Sequence, residues 1–406
     1  MPEIYDVAIV GAGPAGSASA IHLARAGWRV VLVDRGTFPR HKPCAEYLSP
    51  AAEPLLRDLG VLAELASTDP GRLRGFRIYA PDGTYFQGDF AATKAPDGGS
   101  LYETGLSIAR YHLDDTLVRA ARAAGVEVRE GWRMAQIVPD ATTGGHTLVP
   151  AVGNDSITAR LVIAADGLHS TIAKRLGLQR ESRMRKIALV AHLRGIAGLT
   201  GYGEMHVANR RYVGLAPFGD GDLCNVAMVV DEGRDAKKLA GHPQDFLLAS
   251  LATFPKLADR LAAVTVERQT LAVSHLAVGV TRLSTAGVLL AGDAAGYYDP
   301  FTGEGIYKAL HGAGIVARVA TAALRANDTS AATLARYDRE LRADFRGKRI
   351  IEMIIQASVQ VPPLMNHISW VMRRRKHMAD TIVAVTGDFL SPWAVLNPGY
   401  LLRLVV

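Results

Sequence analysis

The sequence predicts an α/β chain, α+β in two domains: a parallel sheet with helices, interrupted by an antiparallel sheet and followed by a helical C-terminus. Three observations carry that expectation. Residues 6–36, DVAIVGAGPAGSASAIHLARAGWRVVLVDRG, run strand, glycine turn, helix, strand. Short apolar runs at 161–166 and 287–292 have the character of buried parallel strands. Between them, residues 183–232 switch to long strand-like stretches parted by turns.

Each element follows in order. DVAIV is a short β-branched run, as a buried strand requires. In SASAIHLARAG small and apolar residues recur at helical spacing, and Gly27 closes the helix. WRVVLVD is the next strand and completes a βαβ unit. FRIYAPDGTYFQ places strand residues on both sides of Pro81-Asp82-Gly83, a hairpin signal. SIARYHLDDTLVRAARAAGVEVREG reads as helix, glycine stop and strand, and LVIAADG as a strand with its acid at the end. KIALVAHLRGI, YGEMHVANRRYVGLAPF and LCNVAMVVD form the antiparallel sheet, with a turn at 219–222. GVLLAGDAAG returns to the parallel sheet, a long helix starts near Gly303, and residues from about 340 are helical with a break at Pro362-Pro363.

The parallel-sheet domain is expected over 1–75, 102–180 and 277–340, the antiparallel sheet over 76–101 and 181–276, and the helical region over 341–406. A ligand is expected where the two sheets meet.

The 406 residues are 49% apolar and 21% charged, ordinary for a globular chain with a large core. The net charge of +7 suits an anionic cofactor, a membrane surface or nucleic acid and selects none of them. Two cysteines far apart argue against a disulfide framework, so a reducing cytoplasmic setting is the expectation. The opening MPEIYDVAIV lacks the basic flank of a signal peptide, and no apolar run reaches the ~18 residues of a membrane span.

Gly11, Gly13 and Gly16 form G-x-G-x-x-G, with Ala15 inside the loop. Gly11 allows the turn, Gly13 the approach of a pyrophosphate, and Gly16 close packing of helix on strand. The helix start then faces the phosphates. Asp34 ends the second strand, where a carboxylate meets the adenosine ribose, and Arg35 follows it. This is a Rossmann-like dinucleotide site; the motif alone does not separate NAD from FAD.

Two later stretches do. ADGLHSTIAKRLGL (165–178) and AGDAAGYYDPFTGEGIYKAL (291–310) resemble the second and third motifs of the flavoprotein family that includes p-hydroxybenzoate hydroxylase and geranylgeranyl reductase. The resemblance covers the chain to about residue 330. It implies FAD, with Asp166 and Gly167 near the pyrophosphate and the nicotinamide approach. It further implies that Asp293, after Gly292, holds the ribityl chain and that Pro300 lies beside the isoalloxazine ring. By the same resemblance, Gly303, Gly305 and Ile306 open the helix whose amides face the flavin N1 and C2 carbonyl. Independently, a helix start carries partial positive charge and favours the anionic reduced ring. Arg110 resembles a family arginine that pairs with the pyrophosphate; a solvated helix-start arginine is the alternative. No second glycine motif exists, so NAD(P)H, the expected electron donor, would visit without a Rossmann domain of its own.

The chemistry at the flavin is less determined. FPRHKPCAEYLSP (38–50) is similar to the Lys-Pro-Cys segment of geranylgeranyl reductases, which places Cys44 near the ring as a reactive thiol or as a small buried hydrophobe. Glu46 and Tyr47 share that segment. Gly296 replaces a histidine common in aromatic hydroxylases. The reductases' Tyr-x-Trp-x-Phe-Pro channel motif survives only as Tyr212 and Pro217, with Gly214 and Ala216 at the bulky positions. The halogenases' Trp-x-Trp-x-Ile-Pro is absent as well. Tyr297, Tyr298 and Asp299 precede the flavin proline and orient a substrate hydroxyl or pack. The catalytic candidates are therefore Cys44, Tyr212 and Tyr298, with no metal site.

The expected function is an FAD-dependent oxidoreductase. Hydroxylation of a largely apolar aromatic, quinone or polyketide-like molecule is the first expectation, C=C reduction the second, and a non-catalytic lipid carrier the third. ISWVMRRRKHM (368–378) fits a solvated basic face, the favoured reading, or a membrane-surface helix. No recognition motif supports nucleic-acid binding. Oligomeric state is not legible.

Overall fold

The computed structural model describes residues 4–90, 104–182, 184–219 and 221–405. Residues 91–101 of the expected antiparallel segment and Asp220 of the expected turn lie outside them.

The strands Ile4–Val10, Val30–Val33, Ile157–Ala164, Val288–Leu290 and Glu127–Arg129 form one parallel sheet. Ile4–Val10 is central, with Ile9 opposite Leu32 on one side and Ile163 on the other. These strands carry β-branched and aliphatic residues on both faces because both are covered, as parallel sheets require. One face packs on helices Pro14–Arg25, Arg110–Ala123 and Gly305–Arg325. The other meets an antiparallel extension, Met134–Pro139 and His146–Pro150, which continues from Ile157–Ala164.

A seven-stranded sheet forms the second layer, in the order Thr265–Val273, Lys186–Arg194, Leu223–Asp231, Arg211–Pro217, Gly203–Ala208, Gly75–Tyr79, Tyr85–Asp89. It is antiparallel except where Gly203–Ala208 meets Gly75–Tyr79. The Pro81-Asp82-Gly83 hairpin forms, with the Ala80 amide donating to Thr84 at 2.8 Å. The stretch YGEMHVANRRYVGLAPF is not one strand. It folds back at Asn209-Arg210, where Arg210 takes φ +61°, and Ala208 pairs with Arg211. Asn and Arg lack the usual glycine signal, which hid the turn.

One face of this sheet is closed by helices Glu232–Leu239 and Pro243–Leu251 over Leu189, Val213, Val226 and Met228. The C-terminal helices close part of the other: Ala331–Val359, Pro362–Arg374, Lys376–Thr386, Trp393–Leu396 and Pro398–Val405. They share one core with Ile78, Phe86, Met205 and Val207. The expected break falls at Gln360-Val361, just before the Pro362-Pro363 pair that opens the next helix. The long helix expected near Gly303 begins at Gly305, because Gly303 is left-handed at φ +71°.

Candidate functional site

The glycine loop sets one wall. Gly11 has φ +103°, and a Cβ there would stand 2.2 Å from the Ala165 carbonyl oxygen. A Cβ on Gly16 would stand 1.8 Å from the Gly11 carbonyl oxygen. Neither position tolerates a side chain. A Cβ on Gly13 would meet nothing nearer than Arg110 Nη2 at 3.6 Å, so that face of the loop stays open beside a cation. Ala15 lies in the first turn of Pro14–Arg25, whose leading amides have no intrahelical acceptor. Asp34 accepts from the Ala12 amide at 2.8 Å and the Gly36 amide at 2.8 Å, which fixes the loop to the second strand; Arg35 beside it is exposed.

Arg110 is buried, which removes the solvated alternative. Its guanidinium grips Asp114 with two bonds of 2.6 and 2.7 Å, one helical turn on. Arg40 lies 3.4 Å from both Asp114 and Asp34 and joins them into one chain of charge. Lys42 stands against Gly167, 3.4 Å from its Cβ position. Burial and the neighbouring Arg110 push the Lys42 amine below its ordinary value, while Asp293 opposes that shift. Asp166 accepts from the Thr171 and Ile172 amides through Oδ2, while its buried Oδ1 has no hydrogen-bond partner among the described residues; burial pushes the carboxyl up.

An open glycine face beside the Arg110 guanidinium, Lys42 close to that arginine, and helix-start amides without intrahelical acceptors fit a dinucleotide diphosphate, while the buried Asp166 Oδ1, an acceptor, suits a hydroxyl or N–H of the cofactor. Asp34, Arg110, Lys42, Asp166, Asp293 and the starts of Pro14–Arg25 and Gly305–Arg325 are the groups that would hold FAD. Only the Lys-Pro-Cys resemblance separates Lys42 from a surface lysine in the sequence, and its place against Gly167 exists only in the fold.

The second wall is the loop from Gly292 to Glu304. Asp299 is buried and accepts from Lys186 Nζ at 2.6 Å, Tyr212 Oη at 2.6 Å, Gln356 Nε2 at 2.5 Å and the Phe301 amide at 3.0 Å. Lys186 also bonds Gln356. One carboxylate thus ties the sheet, the Pro300 loop and the C-terminal helix together. Tyr212 is a donor in this knot, so it positions the loop. Tyr298 is half-buried beside it, and burial pushes its hydroxyl up. Behind the helix start, Glu304 pairs with Lys308 and with Lys348, and Lys348 also holds Asp388.

The inner face of the seven-stranded sheet is the third wall. Strand register sets three rows on it. Arg268, His192, Asn225 and Ala216 lie side by side. Val190, Ala227, Gly214, Met205 and Ile78 form the next row. Ala188, Val229, Tyr212 and Val207 form the third. Residues in the first row reach the Cys44 segment. His192 Nε2 bonds Glu46 at 2.6 Å, and Asn225 Nδ2 donates to the Cys44 carbonyl at 2.9 Å. Glu46 takes φ +55° and also accepts from the Arg110 amide at 2.8 Å. The Cys44 thiol accepts from the Glu46 amide at 3.3 Å, and burial pushes it up, so it stays protonated. Tyr47 stacks edge-on against Phe76 and fills the space a Gly303 side chain would need. In the middle row, between the polar first row and the largely apolar third, Gly214 and Ala227 put almost no bulk over the floor.

From the Pro300 loop an apolar cavity runs outward between the sheet and the C-terminal helices. It holds about 980 Å³ of space, its open mouth included. Phe301 and Thr302 line its inner end, Ile78 and Met205 its sheet side, and Ile354 and Leu401 its outer end. Sequence periodicity flagged none of this, because the cavity is assembled where strands near residues 76–86 and 205 and the loop at 301–302 meet the C-terminal helices.

The FAD binding domain family matches residues 4–350. Conditioned medium factor receptor 1 of Dictyostelium discoideum is 26% identical over 96% of this chain and 78% of its own. Menaquinone reductase of Mycobacterium tuberculosis is 30% identical over 74% of this chain and 72% of its own. Digeranylgeranylglycerophospholipid reductase of Methanosarcina acetivorans is 30% identical over 81% and 78%. Among solved structures, a flavoprotein/dehydrogenase from Cytophaga hutchinsonii superposes with a TM-score of 0.83 at 20% identity, over 98% of this chain and 95% of that one. The myxobacterial chondrochloren halogenase gives 0.78 at 23%, over 88% and 83%.

Proposed function

The chain belongs to the FAD binding domain family and is an FAD-dependent oxidoreductase; we propose that it reduces a carbon–carbon double bond in a long apolar substrate of polyprenyl type. The observation that carries this reading is the cavity. It starts at the loop expected beside the flavin ring, and among its twenty lining residues only Thr302, Ser358, Thr386 and Tyr400 bear a polar group. Such a space desolvates a hydrocarbon chain and offers nothing to a polar one. The two relatives named as reductases support the same direction.

Bound FAD, once reduced by a two-electron donor such as NAD(P)H, supplies the hydride for one alkene carbon. The chain's own groups do the rest. The Asp299 knot holds the Pro300 loop at the inner end of the cavity. The cavity walls exclude water. We assign the proton for the second carbon to the Cys44 thiol, which burial keeps neutral on the segment bound to the inner face of the sheet, so the alkene gains two hydrogens. Asn225 and the Glu46–His192 pair hold the Cys44 segment in place.

The test uses holoprotein reduced anaerobically with dithionite and offered menaquinone and polyprenyl lipids. Product still two mass units heavier than substrate after air has reoxidised any quinol, and absent without the protein, supports the reading. The vacant floor at Gly214 and Ala227 favours a second reading, hydroxylation of a ring-bearing substrate. A product carrying one labelled oxygen atom, with none formed anaerobically, would establish that reading and remove the first.

A further inference from the structure

The outer end of the cavity opens onto a surface that the flavin chemistry does not explain. Ile354 and Leu401 line the cavity and are themselves exposed, so they form its rim. The same C-terminal helices and the turns between them also present Met353, Val361, Leu364, Trp370, Trp393 and Leu402 to solvent. Trp393 is 56% exposed and Leu402 65%. Eight of the fourteen large apolar side chains exposed among the described residues fall within 353–402. Scattered exposed apolar residues are ordinary, but their concentration in the helices that wall one open cavity is not.

The charge around this mouth has one sign. Residues 353–405 carry Arg373, Arg374, Arg375, Lys376 and Arg403 against only Asp380 and Asp388. Both acids are already paired, with Lys376 and Lys348. The Arg374 guanidinium lies 3.8 Å from the Trp370 ring centroid, which sets a cation directly on an apolar anchor. Arg375 donates to the Arg403 carbonyl at 2.6 Å and ties the helix Pro362–Arg374 to Pro398–Val405. No helix of the described residues is long and apolar enough to cross a membrane.

We propose that this surface docks on an anionic lipid bilayer and that the cavity mouth opens into it. Trp370, Trp393, Leu401 and Leu402 enter the interface, and Arg373, Arg374 and Arg403 meet the phosphate layer. Lys376 is held by Asp89 and Asp380, so a second copy of this chain would bring four arginines against four, which disfavours that occupant. The solvated face expected from the sequence explains the arginines and leaves the tryptophans and leucines unexplained. The inference shares the apolar cavity with the proposed reduction, but its test reads binding and not turnover, so either can fail alone.

The experiment is flotation of the full-length holoprotein with vesicles of phosphatidylcholine alone or containing phosphatidylglycerol. The protein is expected to float with the anionic vesicles, less so as salt rises. Trp393→Ser combined with Leu402→Ser is expected to lower binding at least about tenfold, with flavin content and melting temperature unchanged. Arg373→Glu combined with Arg374→Glu is expected to lower binding to anionic vesicles selectively. Absence of binding to either vesicle would overturn the proposal. So would binding that the serine variant leaves intact, which would mark mere adsorption of a basic protein. A parent that is dimeric in solution, with a monomeric serine variant and no vesicle binding, would assign the face to a subunit interface instead.

Discussion

The glycine loop and the inner face of the antiparallel sheet border the same site, and they are built in opposite ways. The loop is made of backbone: Gly11, Gly13 and Gly16 matter for the side chains they lack, and Asp34 bonds only main-chain amides and one arginine. The sheet face is made of buried charge: Lys186, Tyr212 and Gln356 converge on Asp299, and His192 on Glu46. The first design is local in sequence. The second joins residues 57 to 146 positions apart. A backbone-built wall therefore fails by steric exclusion of the ligand, and a charge-built wall by loss of fold stability or by a change in pH.

The largest effect is expected at the loop. Gly16→Ala drives a Cβ into the Gly11 carbonyl, so helix and strand must part and the phosphate wall with them. Flavin bound after gel filtration is expected to fall below about one tenth of the parent's. Full flavin content in this variant would remove the distinction between the two walls.

A pair of aspartates sharpens it. Asp293→Ala is expected to lose flavin while keeping its fold, since Asp293 sits in the loop facing Lys42 and no resolved knot depends on it. Asp299→Ala strands Lys186, Tyr212 and Gln356 without their acceptor. Removing one partner of a buried ion pair costs about 3–5 kcal/mol, or a melting-point drop on the order of 10 °C. Asp299→Ala should therefore melt early, and Asp293→Ala should melt like flavin-free parent. Scanning calorimetry with and without added FAD separates the two outcomes, and a reversed order would refute the assignment.

A smaller effect is expected at Cys44. Cys44→Ala should leave flavin reduction by dithionite unchanged and slow the following single-turnover step by about 10²-fold, the usual contribution of one positioned proton donor. Unchanged single-turnover rates would make the thiol a packing residue only.

What was legible in the sequence follows the same division. The βαβ unit, the hairpin at Pro81-Asp82-Gly83 and the helix after Gly303 were legible because their signals are local: period, glycine position and turn chemistry. Asp114 could have been paired with Arg110 from the i,i+4 spacing alone. Lys186, Gln356, His192 and Arg268 could not have been, since their roles exist only once strand register and the C-terminal helices bring them to one face. The turn at Asn209-Arg210 was missed because an arginine in the left-handed region has no sequence signature. The apolar cavity was missed because Ile78, Met205, Ile354 and Leu401 each read as ordinary core or surface residues.

The smallest expected effect tests the charge-built side by pH. Asp388 lies beside Lys348, which also holds Glu304, the residue preceding the helix Gly305–Arg325. Burial, with Glu304 adding to it, pushes the Asp388 carboxyl from 3.8 up to about 7. The folded protein therefore binds a proton here that the unfolded chain has lost between about pH 4 and pH 7. A raised folded value means that the site's stabilisation is present below the unfolded value and is lost as pH rises through the folded one. Asp388→Asn keeps an acceptor for Lys348 and removes the titration. The difference in melting temperature, variant minus parent, is expected to rise by about 2 °C or more between pH 4 and pH 8. Gly16→Ala, which touches only backbone, should show no such pH-dependent difference from flavin-free parent. If Asp388→Asn melts in parallel with the parent across that range, the cluster behind the helix start holds its charge as the backbone wall holds its shape, and the contrast between the two walls does not extend to it.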